Sequence, residues 1–461
     1  MIIGAVMVPH PPIAVAEIGK GEETKIQKTL DSFSRVAAYV AQMKPDTIIL
    51  TTPHAVMYRD WFNVSKGTEA YGDFARYRAK KVSFRVEYDE AFTSRLDEVC
   101  READIPAGTT YDTDYELDQG TMVPLYFIRQ QYEDFKLVRI GLSGLSLPMH
   151  YRFGTLIQSI CMESDKRYLI IASGDLSHCE KEDGPYGYHP EGPEYDRRLM
   201  EDMGRADFGN LIRYEPAFLE KAQECGHRSF TILAGILDRL SVSPSVLSHE
   251  ATFGVGYGFV IYDINGKAES RNFLDQYEAE ARKKHLELAN GSDPYIRLAA
   301  RAIEEWVTAH RKLKLPDDLP EEMLHHRAGV FVSIHEHGEL RGCIGTISAV
   351  QKNIAEEIIK NAISSCSRDP RFDPVEPKEL PYLELSVDVL KDAEPVPDPS
   401  MLDVKRYGVI VSTEDGRRGL LLPNLDGVDT IEEQLSIALR KGGISEREPY
   451  TLERFEVVRH A

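Results

Sequence analysis

Three short apolar runs, each followed by a histidine, constrain the fold of this chain more than any other feature. The runs and their histidines are Ile2–Val8 with His10, Thr47–Thr52 with His54, and Tyr168–Ser173 with His178. Short runs rich in β-branched residues are typical of buried strands in a sheet that is covered on both faces. Ligands of open α/β sheets bind beyond the carboxyl ends of the strands. We therefore expect the three imidazoles to meet at one edge of one sheet.

Composition narrows the class of protein. The chain has 461 residues, 42% of them hydrophobic and 28% charged, which is enough apolar material for two cores and argues against extensive disorder. Its formal net charge of −20 and its lack of a dense basic block argue against nucleic-acid or membrane partners and favour a small molecule or a protein. No signal peptide, membrane span or paired-cysteine framework is evident, so we expect a cytoplasmic protein.

The pattern of elements predicts two domains of different class. Strands alternate with helices through the first part, which predicts a mostly parallel sheet flanked by helices, whereas the last part is typical of a smaller α+β domain. A charged stretch between them predicts a connecting helix and linker. The predicted boundaries are 1–264, 265–290 and 291–461. Among the predicted elements are a helix at Cys225–Leu240 and strands at Leu383–Leu390 and Gly408–Ser412.

The histidines suggest a metal site. His10, His54 and the carboxylate of Glu224 would form the face of two histidines and one carboxylate that holds non-haem Fe(II) with open positions. A substrate with adjacent hydroxyls and O2 could take those positions. His178 would then serve as a general acid or base near the metal, and Asp175 would orient it or bind the substrate.

Simpler interpretations exist for each residue taken alone. A histidine beside prolines is ordinarily a hydrogen-bonded loop residue, and His189, in a Gly/Pro-rich loop, is either substrate-binding or merely exposed. Glu224 and Cys225 stand at a predicted helix start, where capping accounts for them as well as function does. The convergence of three strand ends favours the functional interpretation.

A second candidate cleft lies in the last part of the chain. Arg341 and Cys343 stand among glycines that allow close backbone approach. Two interpretations fit this pattern: the floor of a pocket, or a tight turn with a small buried thiol. Cys366 and Arg368 could lie nearby, with a salt-bridged structural loop as the alternative.

The motifs of residues 1 to 264 resemble those of the class III extradiol ring-cleavage dioxygenases and the related Memo-like proteins. The motifs are Pro9-His10-Pro11-Pro12, Pro53-His54, Asp118-Gln119-Gly120, Ser173-Gly174-Asp175-Leu176-Ser177-His178, Glu224-Cys225-Gly226 and Phe253-Gly254-Val255-Gly256-Tyr257. The resemblance implies that His10, His54 and Glu224 hold Fe(II) and that His178 is the acid/base residue.

Two positions depart from the dioxygenase pattern. Gln119 stands where these dioxygenases usually have a histidine, which makes it a candidate substrate contact. Memo-like proteins use a cysteine near the glutamate, so Cys225 competes with Glu224 as the third ligand if the metal is copper. Zinc is a further alternative to Fe(II).

Residues 291 to 461 resemble an AMMECR-type domain. The motifs are Leu340-Arg341-Gly342-Cys343-Ile344-Gly345-Thr346, Arg368-Asp369-Pro370-Arg371-Phe372 and Gly419-Leu420-Leu421-Leu422-Pro423. Together the resemblances correspond to two components of the AmmeMemoRadiSam system, which implies a radical-SAM protein as partner. Two functions are thus expected: an Fe(II)-dependent oxidoreductase acting on a catechol-like molecule with O2, or a non-oxygenase metal-binding fusion that works with that partner.

Overall fold

A computed structural model describes residues 1–112, 116–425 and 427–461. The chain divides into two compact units, Met1–Tyr277 and Glu278–Ala461. The predicted linker region 265–290 holds the end of one strand and the helix Phe273–Asn290.

The first unit is built on a six-stranded sheet. Its strands, in spatial order, are Lys136–Gly141, Thr47–Thr52, Tyr168–Ser173, Ile2–Val8, Tyr257–Lys267 and Leu240–Glu250. The first four are parallel and the last two pair antiparallel. Three of the parallel strands are buried along their whole length, as expected for a sheet covered on both faces. The prediction of a mostly parallel sheet flanked by helices is confirmed.

Helices cover both faces of this sheet and bury two apolar cores. Phe153 and Phe230 contribute to the core on one face, and Phe33 and Met122 to the core on the other. The helices of this unit are Ala16–Gly19, Gln27–Met43, Glu90–Glu102, Gln119–Ile128, Leu147–Glu163, Glu191–Arg205, Pro216–Ala222 and His227–Ile236. Four further short strands pair outside the main sheet: Phe62–Asn63, Glu69–Phe74, Ala79–Glu87 and Ala107–Gly108.

The second unit contains two four-stranded antiparallel sheets. The first has the order Glu339–Gly345, Val330–Glu336, Leu383–Leu390 and Val457–His460, and the second the order Glu394–Pro395, Thr451–Phe455, Gly408–Ser412 and Arg418–Leu421. Its helices after residue 290 are Pro294–Ala309, Glu321–His325, Ile354–Ser367 and Ile431–Gly442. This arrangement confirms the smaller α+β part.

One helix in the first unit differs from its prediction. The predicted helix Cys225–Leu240 is observed as His227–Ile236, because Gly226 is the residue that caps its start and Leu240 already belongs to a strand. Among the described residues, no helix is both long and apolar enough to cross a membrane.

Candidate metal centre

His10 lies just beyond the strand Ile2–Val8, and hydrogen bonds hold its ring in one orientation. Its backbone N–H donates to Asp175 Oδ1 at 2.8 Å, and its Nδ1 lies 3.0 Å from Ser173 Oγ. The Ser173 hydroxyl donates its own hydrogen to the Gly120 carbonyl at 2.6 Å. Ser173 can therefore only accept from His10, so Nδ1 carries the ring proton and Nε2 presents a lone pair.

His54 follows the strand Thr47–Thr52 and meets His10 directly. The two Nε2 atoms are 2.9 Å apart, and the rings stand at 81° with centroids 4.7 Å apart. Burial lowers the pKa of His10 to about 4; burial and then the proximity of His10 lower the pKa of His54 to about 4. Both imidazoles are therefore neutral at pH 7, which is the form that binds metal ions.

Cys225 supplies the third donor atom. Its Sγ lies 3.7 Å from His10 Nε2 and accepts the Asp175 N–H at 3.3 Å. The donor atoms of His10, His54 and Cys225 all lie within 4.8 Å of one another. Burial raises the pKa of the Cys225 thiol well above its ordinary value. Two imidazoles and a thiol thus converge on one point at the carboxyl edge of the parallel strands.

The Glu224 carboxylate is used elsewhere. Its Oε2 accepts the backbone N–H of His227 at 2.5 Å, at the first residue of the helix His227–Ile236. A helix start leaves N–H groups without helical partners, and Glu224 satisfies one of them. Burial raises the Glu224 pKa to about 7. Within the described ranges, Glu224 belongs to neither group of clustered donor atoms; the thiol beside it takes the place expected for its carboxylate.

His178 lies next to this cluster with an unused nitrogen. Its Nε2 is buried and has no hydrogen-bond partner among the described residues. Its ring stacks on Tyr186, with centroids 5.1 Å apart and planes at 29°. Burial lowers the His178 pKa, and Asp175 opposes that shift. Donor atoms of Asp175, His178 and Cys225 lie within 4.8 Å of one another, so the predicted acid/base pair borders the metal ligands.

Gln119 is held beside His54 by the start of its own helix. Asp118 caps the helix Gln119–Ile128, accepting from the Thr121 N–H at 3.1 Å, and lies 3.5 Å from the buried Arg139 guanidinium. Gln119 Nε2 is 3.2 Å from His54 Nε2. The amide therefore lies at the same nitrogen of His54 that faces His10.

His189 is placed differently from the other predicted site residues. It is exposed on the loop after Cys179, to whose carbonyl its backbone N–H donates, and it belongs to neither group of clustered donor atoms in the described part of the chain.

The four residues of the predicted second cleft differ in burial and in contacts. Cys343 is half-buried on a strand, and Arg341 forms an ion pair with Glu379 at 2.6 Å. Cys366 is buried in the core of the second unit, whereas Arg368 is exposed at the end of a helix. Cys366 belongs to the helix Ile354–Ser367, and its side chain packs into the core of that unit.

Two residues that contact the candidate site histidines were not identified from the sequence. Ser173, which fixes the tautomer of His10, is the last residue of its strand. A polar residue at the carboxyl end of a parallel strand could have been predicted to contact the site. Tyr186, which stacks on His178, is 55% exposed in a loop with no periodic pattern, and nothing in the sequence distinguished it from Tyr188.

Comparison with known proteins gives two family matches. Residues 4–260 match the model described as the catalytic LigB subunit of aromatic ring-opening dioxygenase, and residues 296–460 match AMMECR1. The chain is 40% identical over 465 residues to protein CA_C1420 of Clostridium acetobutylicum, which covers 99% of this chain and 98% of that protein. A protein of Thermotoga maritima is 48% identical over 173 residues, 36% of this chain and 99% of its own.

Among solved structures, the uncharacterized protein PH0010 from Pyrococcus horikoshii matches 36% of this chain and 88% of its own, with 33% identity and a TM-score of 0.33.

Proposed function

The chain belongs to the family of the catalytic LigB subunit of aromatic ring-opening dioxygenase through residues 4–260 and carries an AMMECR1 domain over residues 296–460, and we propose that its first unit is a metal-dependent oxidoreductase. The substrate we propose is a catechol-like or other small chelating molecule, with O2 as the oxidant. One observation carries the proposal: the donor atoms of His10, His54 and Cys225 lie within 4.8 Å of one another beside the unused Nε2 of His178.

The donor set fits a metal ion. The Ser173 contact assigns the His10 proton to Nδ1, and the Gln119 amide nitrogen, which can only donate, lies 3.2 Å from His54 Nε2. Both Nε2 atoms can then present lone pairs, and at 2.9 Å apart they would repel each other unless they bind a cation. A ligating histidine ordinarily donates its other N–H to an oxygen in this way. We therefore propose His10, His54 and Cys225 as the metal ligands, with the Cys225 thiol releasing its proton on binding.

The metal we propose is Fe(II), with copper and zinc as competitors. A thiolate beside two imidazoles is a softer donor set than two imidazoles and a carboxylate, and it suits all three metals. When bound, Fe(II) would hold a chelating substrate and O2 together and supply the redox chemistry.

His178 would act as the general base that accepts the proton of a substrate hydroxyl. Because burial lowers its pKa, the imidazole is neutral at pH 7 and its buried Nε2 can accept a proton from a substrate hydroxyl. Asp175 lies beside it and stabilises the imidazolium that forms. Tyr186 covers one face of the ring and limits its contact with water.

The test is oxygen uptake by the full-length protein loaded anaerobically with Fe(II). We expect catechol-dependent uptake, and we expect His178→Ala to keep its iron within about twofold while losing about a hundredfold or more in rate, since general acid–base catalysis is worth that much. His189→Ala is the matched control, because it removes an exposed histidine from the same loop. Iron-loaded protein that consumes no oxygen, or His178→Ala with undiminished uptake, would contradict the proposal.

A second candidate function is favoured by the Cys225 thiol and by Gln119. In this alternative the first unit holds copper or zinc without oxygenase activity and works with a radical-SAM partner. Tight copper or zinc binding that depends on Cys225, together with no oxygen uptake by any metal-loaded form, would favour it over the first.

A further inference from the structure

The short segment that carries His178 is hydrogen-bonded to other parts of the first unit on both sides of that residue. Gly256 donates its N–H to the Ser177 carbonyl at 2.8 Å, and Glu180 donates its N–H to the Gly254 carbonyl at 3.1 Å. These bonds join backbone groups, which do not titrate. A further bond, from the Ser177 N–H, goes to an ionisable side chain.

Asp196 is that ionisable side chain. It lies on the helix Glu191–Arg205 with 1% of its side chain exposed, and its Oδ1 accepts the Ser177 N–H at 2.8 Å. Its Oδ2 accepts from His249 Nε2 at 2.7 Å. Burial opposes a charge on His249, but the hydrogen bond to Asp196 and the charge of Asp196 outweigh burial and raise the pKa of His249. The imidazolium form is therefore favoured, and it compensates the buried carboxylate.

Glu180 places a second carboxyl group against Asp196. The two side chains share a hydrogen bond, which two carboxyl groups can form only when one of them is protonated. Both Asp196 oxygens already accept from other donors, so the proton belongs to Glu180. Glu180 Oε1 is buried and, among the described residues, has no hydrogen-bond partner. An ionised Glu180 would therefore lie beside a carboxylate with one oxygen left without a donor.

The other charged groups around this cluster do not supply the missing donor. The titratable and charged groups that face Glu180 and its two partners are Asp196, His249, Glu250, Cys179 and Lys181. Burial, and then the charge of Asp196, raise the pKa of Glu180 to about 7, and His249 and Lys181 oppose that shift. Lys181 Nζ donates to a backbone carbonyl at 3.0 Å, and Glu250 accepts from a backbone N–H and a hydroxyl, each at 2.7 Å.

We propose that Glu180, Asp196 and His249 form a proton-controlled clasp, which fixes the segment of His178 while Glu180 is protonated and releases it when Glu180 ionises. Ionisation places two carboxylates side by side, and their repulsion is relieved when the segment moves away from Asp196 and the Ser177 N–H contact breaks. The clasp thus makes the position of the general base depend on pH. This consequence for turnover rests on the proposed function of His178, whereas the clasp itself does not.

Hydrogen exchange of the metal-free, full-length protein tests the clasp without a metal or a substrate. An opened segment exposes Glu180 to water, where it ionises at its ordinary pKa of 4.5, against about 7 in the closed segment. Protection by the clasp is therefore fully present below about pH 4.5 and is lost as the pH rises through about 7. After correction for the intrinsic exchange rate, we expect the protection of the amides of residues 176–180 to fall about tenfold between pH 5 and pH 8.

Variants of the clasp separate its protons from its packing. Glu180→Gln should keep the protection high at pH 8, because an amide can donate to Asp196 at any pH. Glu182→Gln is the matched control, since it removes an exposed carboxylate from the same loop, and it should show the same fall as the wild type. His249→Leu should lower the protection about tenfold at every pH, and His249→Gln should restore most of it by donating to Asp196. Protection that does not change with pH in the wild type, or an equal fall in Glu180→Gln, would overturn the proposal.

Oxygen uptake at saturating Fe(II) separates the clasp from the proposed function. Between pH 6 and pH 8, we expect the ratio of the wild-type rate to the Glu180→Gln rate to fall about threefold, with equal iron content, because only the wild type loses its clasp. If no iron-loaded form consumes oxygen while the exchange results hold, the oxidoreductase proposal fails and the clasp stands. A constant ratio of the two rates would overturn the link between the clasp and turnover.

Discussion

Cys225 and Cys343, the two cysteines that are only partly buried in the described part of the chain, have different neighbours. Cys225 lies at the carboxyl edge of a parallel sheet beside two neutral imidazoles, whereas Cys343 lies on an antiparallel strand beside the ion pair of Arg371 and Asp369. Lone-pair nitrogens beside a thiol can bind a cation together with it, whereas the charges beside Cys343 already balance each other. The comparison teaches that the neighbouring side chains, more than the sulfur itself, decide whether a cysteine can serve as a metal ligand.

The largest expected effect is the loss of metal binding when His54 is removed. His54→Ala should abolish saturable Co(II) binding at micromolar concentrations, because it removes one of the three donors. His54 is exposed, so the variant should fold, and circular dichroism checks this. Cys343→Ser should bind Co(II) as the wild type does. Loss of Co(II) binding in Cys343→Ser would contradict the conclusion that only the first of the two cysteines is a metal ligand.

A smaller effect decides between the adjacent residues Glu224 and Cys225. Cys225→Ser should weaken Co(II) binding about a hundredfold and remove the sulfur-to-cobalt absorption band, since a hydroxyl is a poor ligand. Glu224→Ala should keep the band and the affinity within about threefold, while lowering the free energy of unfolding by about 1 kcal/mol through loss of the helix cap. Loss of the absorption band in Glu224→Ala would contradict the assignment of Cys225 as the third metal ligand.

The pH dependence of the Co(II) affinity is a second test of Cys225 as the third metal ligand. The thiol must lose its proton to bind, and burial raises its pKa, so it is protonated at neutral pH. The imidazoles, with pKa values of about 4, are already neutral above pH 6. We therefore expect Co(II) affinity to rise about tenfold per pH unit from pH 6 to 8, with one proton released. Calorimetry in buffers of different ionisation enthalpy counts that proton; Cys225→Ser should show no such slope.

The smallest expected effect concerns the orientation of His10. Ser173→Ala removes the oxygen that accepts from Nδ1 and leaves a buried donor without a partner. We expect about a tenfold loss of Co(II) affinity, as is typical when a residue supporting a metal ligand is removed. The matched control is Ser333→Ala in the other unit, which should leave Co(II) binding unchanged.

Much of the secondary structure could be predicted from local patterns. The strands Leu383–Leu390 and Gly408–Ser412 have the bounds expected from their apolar runs, because alternation and chain-breaking neighbours define both ends. The helix expected at Cys225–Leu240 began two residues late and ended four early. Gly226 caps its start, and Arg239 adopts a left-handed conformation with φ 56°, which apolar periodicity does not reveal.

The shifted start of this helix explains why the sequence could not decide between Glu224 and Cys225 as the third metal ligand. Glu224 and Cys225 are neighbours in the chain, and only the position of the first helical N–H decides which side chain caps the helix. For a similar reason the sequence did not decide whether Cys366 faces the core or a cleft, since the face of a helix that is buried depends on what packs against it.

The sequence by itself determined that three strands end in histidines at a common sheet edge and that two domains of different class follow each other. Those features depend on side-chain periodicity and chain direction, which are local. The tertiary structure decided which atoms meet: Cys225 rather than Glu224 beside the imidazoles, and the Ser173 contact to His10. Such contacts join residues far apart in the chain, and their geometry follows from how whole elements pack.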